Sequence, residues 1–86
     1  MPRYFMHLRD GSDIALDEEG AVFAGDHALR NAVIHAARDC ISNDVRACGS
    51  IDFRLRIDAE NEAGDVVYSL RFDDAVTIIA PDTPPG

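Results

Sequence analysis

The sequence predicts an α+β domain: a small antiparallel sheet, made of an N-terminal strand and a C-terminal hairpin, with one long helix packed on one of its faces. Three observations carry this. Ile51, Phe53, Leu55, Ile57 and Ala59 alternate strictly with Asp52, Arg54, Arg56, Asp58 and Glu60, the pattern of a strand with one buried and one wet face. Val66, Tyr68, Leu70 and Phe72 repeat that alternation after a short polar loop. Between the two regions expected to form sheet, Leu29, Ala32, Val33, Ala36, Ala37, Cys40, Ile41 and Val45 recur at spacings of three and four, which lines one side of a helix with apolar groups.

Taken in order, residues 2–9 read as the first strand, with Tyr4, Met6 and Leu8 on one face and Arg3, Phe5, His7 and Arg9 on the other. Asp10-Gly11-Ser12-Asp13 is turn chemistry, Ile14-Ala15-Leu16 is a short return strand, and Asp17-Glu18-Glu19-Gly20 breaks it. Ala21-Val22-Phe23 leads through Ala24-Gly25 to the helix. Asp26 is the expected N-cap, because its carboxylate can accept from unpaired first-turn amides and complements the helix dipole. The helix is expected over about 27–47, where Gly49 supplies a C-terminal stop. A strand at 51–60 and another at 65–72 flank the loop Asn61-Glu62-Ala63-Gly64. Pairing Glu60 with Asp65 sets Ile57 against Tyr68, Leu55 against Leu70 and Phe53 against Phe72, all on the buried side. The run at 75–80 adds a short edge strand or covers one end of the core. Residues 81–86, with three prolines, read as a flexible tail on a single domain of residues 1–80.

The chain is 86 residues long, enough for one core and too short for two. Its 47% hydrophobic and 28% charged content is that of a globular protein. A core of this size is only marginally stable, so a homodimer or larger homo-oligomer is the expected state. A signal-peptide pattern and a long apolar span are both missing, which suggests a cytoplasmic protein that does not engage membranes. Cys40 and Cys48 sit about 12 Å apart along a continuous helix and are too distant for a disulfide. The net charge of −8 argues against nucleic acid as a partner. All eight basic residues are arginines, each capable of planar, bidentate contact with carboxylate or phosphate.

The opening Met1-Pro2-Arg3-Tyr4-Phe5-Met6-His7-Leu8-Arg9-Asp10-Gly11 resembles the N-terminal segment of a family of small bacterial proteins of unknown function, with Met6 where an aromatic is usual. Asp17-Glu18-Glu19-Gly20, the alanine-rich helix, Gly64 and Phe72-Asp73-Asp74-Ala75 extend the resemblance over roughly residues 1–79. It implies a domain class, and it brings no activity, cofactor or catalytic residue to carry over.

The candidate binding face is the polar side of the sheet. The expected register sets Arg54 opposite Arg71 with Arg56 beside them, while Arg3, Phe5, His7 and Arg9 come from the first strand. Opposed like charges require compensation, either from Asp52, Asp58 and Asp73 or from an anionic partner, and the acidic segments 10–19 and 58–65 of a second copy are the preferred one, with Phe5 and Val67 adding apolar contact. His7 reads as a structural histidine. His35 and Asp39, at i and i+4, lack a third metal ligand placed by sequence. Asp10, Ser12, Asp13 and Asp17 do not follow calcium-loop spacing. With no nucleophile motif and no phosphate-binding glycine loop, the expectation is a noncatalytic, self-associating binding module without a cofactor. A regulatory domain that binds an anionic small ligand or acidic peptide at the arginine face is the alternative.

Overall fold

The computed structural model describes residues 2–82. It is an α+β fold with β1 (Arg3–Arg9), β2 (Asp13–Ala15), β3 (Ala21–Val22), α1 (Asp26–Cys48), β4 (Arg56–Glu60), β5 (Val66–Arg71) and the four-residue α2 (Phe72–Ala75). The strands form one antiparallel sheet in the order β2-β1-β4-β5, with β3 also paired to β1. Residues 83–86 of the expected proline-rich tail lie outside the described residues.

The sheet's inner face and α1 enclose the core. Leu29, Val33, Ala37 and Ile41 form a strict i, i+4 row on the helix and pack against Ile57, Ala59, Leu70, Phe72 and Ala75. Ala37 and Ala59, both fully buried, keep the helix and the central strand close. Tyr4, Met6 and Leu8 of β1 seal the remaining side, as the alternation requires. The helix outruns the sheet: past Ile41 its last two turns are largely exposed, so Val45, expected in the buried stripe, is not.

Several expectations are corrected. The N-cap is Gly25, and Asp26 is the first helical residue, its carboxylate paired with Arg30 at 2.9 Å. The reason is that the first turn closes one residue early, with the Leu29 amide donating to the Gly25 carbonyl. Gly49 ends the helix as expected, in the left-handed region and donating to the Val45 carbonyl. β4 starts at Arg56 and not at residue 51, because the Asp52 carboxylate accepts from the Arg54 amide and folds residues 52–54 into a turn. Ile51 and Phe53 are consequently exposed. Phe72 does not face Phe53 from a strand; it opens α2 and is fully buried, with its amide bonded to the Leu55 carbonyl.

The hairpin register also differs. Asn61 closes the loop by accepting from the amides of Ala63 and Asp65 through its side chain, and a bulge follows between Ala59 and Glu60. Ile57 therefore pairs with Leu70 and Ala59 with Tyr68, two positions from the expected alignment. A slip of two preserves the facing of the residues that stay in the ladder, so Ile57, Ala59 and Leu70 are buried as expected, whereas Val66, expected on the buried side, lies past the bulge and is exposed. What changes is the neighbour of Arg71, which is Arg56 and not Arg54.

Gly20, at φ +69°, is pressed against β1: a Cβ there would sit 2.7 Å from the Tyr4 carbonyl oxygen and 2.9 Å from the Phe5 ring. Gly20→Ala is expected to destabilise the fold by about 2 kcal/mol or more in thermal or denaturant unfolding. Gly25→Ala, with open space around the new methyl, should change it little.

Candidate functional site

The sheet face turned away from α1 holds a charged network built by the β ladder itself. Opposed pairs place His7, Asp58 and Ser69 in one row across β1, β4 and β5, and Arg9, Arg56 and Arg71 in the next. Phe5 stands opposite Glu60 in the row on the other side of His7 and Asp58.

Asp58 is the hub. It is only 4% exposed, yet its two oxygens receive Ser69 Oγ at 2.6 Å, Arg9 Nη1 at 3.0 Å and Arg56 Nε at 3.1 Å. Burial alone pushes this carboxyl up. The hydrogen bonds from Ser69, Arg9 and Arg56 outweigh that and hold it below the usual carboxylate range. Arg9 extends the network, donating to Glu60 Oε2 at 2.8 Å and, through Nε, to Asp13 Oδ1 of β2 at 2.8 Å. One guanidinium thus joins the N-terminal hairpin to the central strand.

His7 is fixed from both sides. Its Nδ1 accepts from the Asp17 amide at 3.0 Å, which leaves the ring proton on Nε2, 3.5 Å from Glu60 Oε1. The Phe5 ring lies parallel to the imidazole at 6.5 Å. Asp17 in turn occupies the gap between β2 and β3, where its carboxylate accepts from the amides of Met6, Glu19 and Gly20. Burial pushes the Asp17 carboxyl up, and these three amides bring it below its ordinary value.

Of the seven candidate residues, the structure gathers Phe5, His7, Arg9, Arg56 and Arg71 on one face. Arg3 belongs to the same strand side, but its guanidinium reaches the Glu19 carbonyl at 2.8 Å. Arg54 stands outside the sheet, in the turn before β4, and is bidentate to Asp52, whose carboxyl it holds at about 2. Arg71 makes the equivalent pair with Asp73. The clustered arginines are therefore each met by a carboxylate of this chain. Sequence reasoning did not include Ser69 in the face and read Asp17 as turn chemistry; the alternation that put Arg56 outward also puts Asp58, Glu60 and Ser69 there, while nothing local marks Asp17 as a strand substitute. Cys40 and Cys48 are free thiols, and among the described residues no three His, Cys, Asp or Glu side chains converge as metal ligands.

Removing the hub leaves Arg9 and Arg56 facing an uncharged site, so Asp58→Asn is expected to lower stability by roughly 2–4 kcal/mol. The folded-state values of Asp58 and Asp17 lie below the unfolded ones, so their contribution is complete above about pH 4–5 and is lost as pH falls through the folded values. Unfolding measured from pH 7 down to pH 2 should show a steep acid loss in the wild type and a shallower one in Asp58→Asn; parallel curves would contradict the role given to Asp58.

No helix of the described residues is long and apolar enough to cross a membrane. No curated protein and no solved structure matches the chain. The family described as "Domain of unknown function (DUF6894)" matches residues 3–73, from the start of β1 into α2 and including every strand and both rows of the charged face. This chain belongs to that family.

Proposed function

We propose that the chain is a noncatalytic binding module of the cytoplasm that works by associating with itself as a homodimer. The observation that carries this reading is where its exposed apolar side chains lie. Ile14 and Leu16 flank one margin of the sheet, Val66 and Val67 the other, Val22 lies on β3, Ile78 and Ile79 stand beyond α2, and Val45, Ile51 and Phe53 lie at the end of α1 and before β4. The polar face, by contrast, spends its arginines on carboxylates of its own chain. Contact through the margins and not through the charged face is what this distribution favours.

A second reading rests on the adjacency of Arg56 and Arg71. They are directly opposed across β4 and β5, and Arg56 reaches Asp58 through Nε. A small anionic ligand or an acidic peptide placed between the two outer guanidinium ends would relieve their repulsion.

Light scattering across a concentration and salt series tests the two readings. The expected result is a dimer mass that persists from roughly 50 mM to 500 mM salt, because apolar and backbone contacts are insensitive to screening that removes exposed ion pairing. A monomer at every concentration overturns self-association. Phosphate that raises the melting temperature of wild type but not of Arg56→Gln would move the weight to the anion site.

A further inference from the structure

We infer that His7 is a pH-sensitive latch: its neutral imidazole holds the loop of residues 17–20 against β1, and protonation of the ring at Nδ1 lets that loop go. The device is separate from self-association and does not rest on it.

The latch stands where β1 has no strand beside it. On one margin β2 pairs with Leu8 and Arg9 and β3 with Arg3 and Tyr4, so residues 5–7 lie between two short partners. The loop of residues 17–20 fills the interval. Two of its bonds to β1 come from Asp17, whose Oδ2 accepts from the Met6 amide at 3.1 Å and whose own amide donates to His7 Nδ1 at 3.0 Å. A third is made by the Glu19 carbonyl, which accepts from Arg3 Nη1 at 2.8 Å. The remaining Asp17 bonds, from the amides of Glu19 and Gly20, lie within the loop and travel with it.

Of the bonds to β1, the one at His7 depends on a group whose charge changes near neutrality. A ring nitrogen that accepts must keep its lone pair, and in an imidazolium both nitrogens are donors. Protonation therefore turns the contact between His7 and Asp17 from a hydrogen bond into two N–H groups set against each other. The His7 side chain is only 12% exposed, so little water is at hand to replace the lost partner.

The charged ring has another neighbour to turn to. Glu60 Oε1 lies 3.5 Å from Nε2, long for a hydrogen bond from a neutral ring but close enough to draw a cation in. Asp58 stands directly opposite on the same strand, β4, and the Asp17 carboxylate lies on the loop side. Arg9, two residues along the same face of β1, opposes a second cation, yet its guanidinium is already shared among Asp13, Asp58 and Glu60. β5 contributes the uncharged Ser69 to this row, and Arg56 and Arg71 stand in the next. The two forms of the ring thus prefer different partners: neutral, the loop backbone; charged, the carboxylate of β4. A small change in proton concentration selects between them. Opening of the loop uncovers the Phe5 ring, against which Gly20 is pressed, and frees the Met6 amide at the bare margin of β1.

NMR of the full chain tests this by following the His7 ring signals and the amide hydrogen exchange from about pH 8 to pH 5, above the range in which carboxylates titrate. The expected result is that the Met6 and Asp17 amides lose about tenfold of their protection, corrected for the intrinsic pH dependence, with a midpoint that coincides with the His7 titration. The amides of Ile57 and Leu70, paired in the core of the sheet, should keep theirs, which separates loop opening from unfolding. In His7→Asn the side-chain oxygen takes the place of Nδ1 and accepts at every pH in this range, so the Met6 and Asp17 amides should stay protected throughout. Protection in the wild type that holds steady while the His7 ring titrates overturns the latch, and so does a ring that stays neutral over the whole range. A loss that persists unchanged in a folded His7→Asn assigns the opening to other groups and overturns it as well. Should that variant fail to fold, the coincidence of the two midpoints in the wild type still decides.

Discussion

A carboxylate withdrawn from water in the middle of a sheet has to be satisfied, and the outer face of this protein is organised by that requirement. Asp58 lies on the central strand β4, away from the helix, and is nearly inaccessible. Desolvating it unpaired would be prohibitive. Its partners come from three strands: Arg9 from β1, Arg56 from β4 itself and Ser69 from β5. Because Arg9 also holds Asp13, the short β2 is tied into the same arrangement. The apolar side of the sheet needs only volume and shape, whereas this side needs register. If β5 moved by two residues, Ser69 would leave Asp58, even though the inner face would still present apolar groups to α1.

The same requirement shows how far the sequence could be read. Period-2 and period-3.6 patterns report which side of an element meets the core, and they placed the helix, the hairpin and the inner residues of β1 correctly. They do not report local polar competition. Asp52 turning back on Arg54 cut short a strand whose alternation begins at Ile51, and the Asn61 side chain together with a bulge moved the hairpin register. Both arise from short polar side chains bonding to nearby backbone, which a hydrophobic pattern does not encode. Phe72 was legible as buried but not as the start of α2, since one apolar residue fits either structure.

For the outer face, the sequence supplied the residues but not their pairing. Alternation alone sends Phe5, His7, Arg9, Arg56 and Arg71 outward, and the structure brings those five together. Arg54 failed to join them because its strand had already ended, and Arg3 because the Glu19 carbonyl draws it over the sheet margin. Asp17 is the least foreseeable. It stands where β1 lacks a neighbour between β2 and β3, and its carboxylate takes the Met6 amide that a strand would have bonded. Gly20 lets that loop lie against β1, since only a residue without a side chain passes so near the Tyr4 carbonyl and the Phe5 ring.

Every cation in these networks is an arginine, and the chain contains no lysine. A guanidinium stays protonated well past any alkalinity a protein normally meets. The ion pairs that fasten β1, β2, β4 and β5 can therefore be dismantled from one direction only, by protonating their acids. Toward alkaline conditions the network has no titrating cation to lose, so its electrostatic fastening is chemically one-sided.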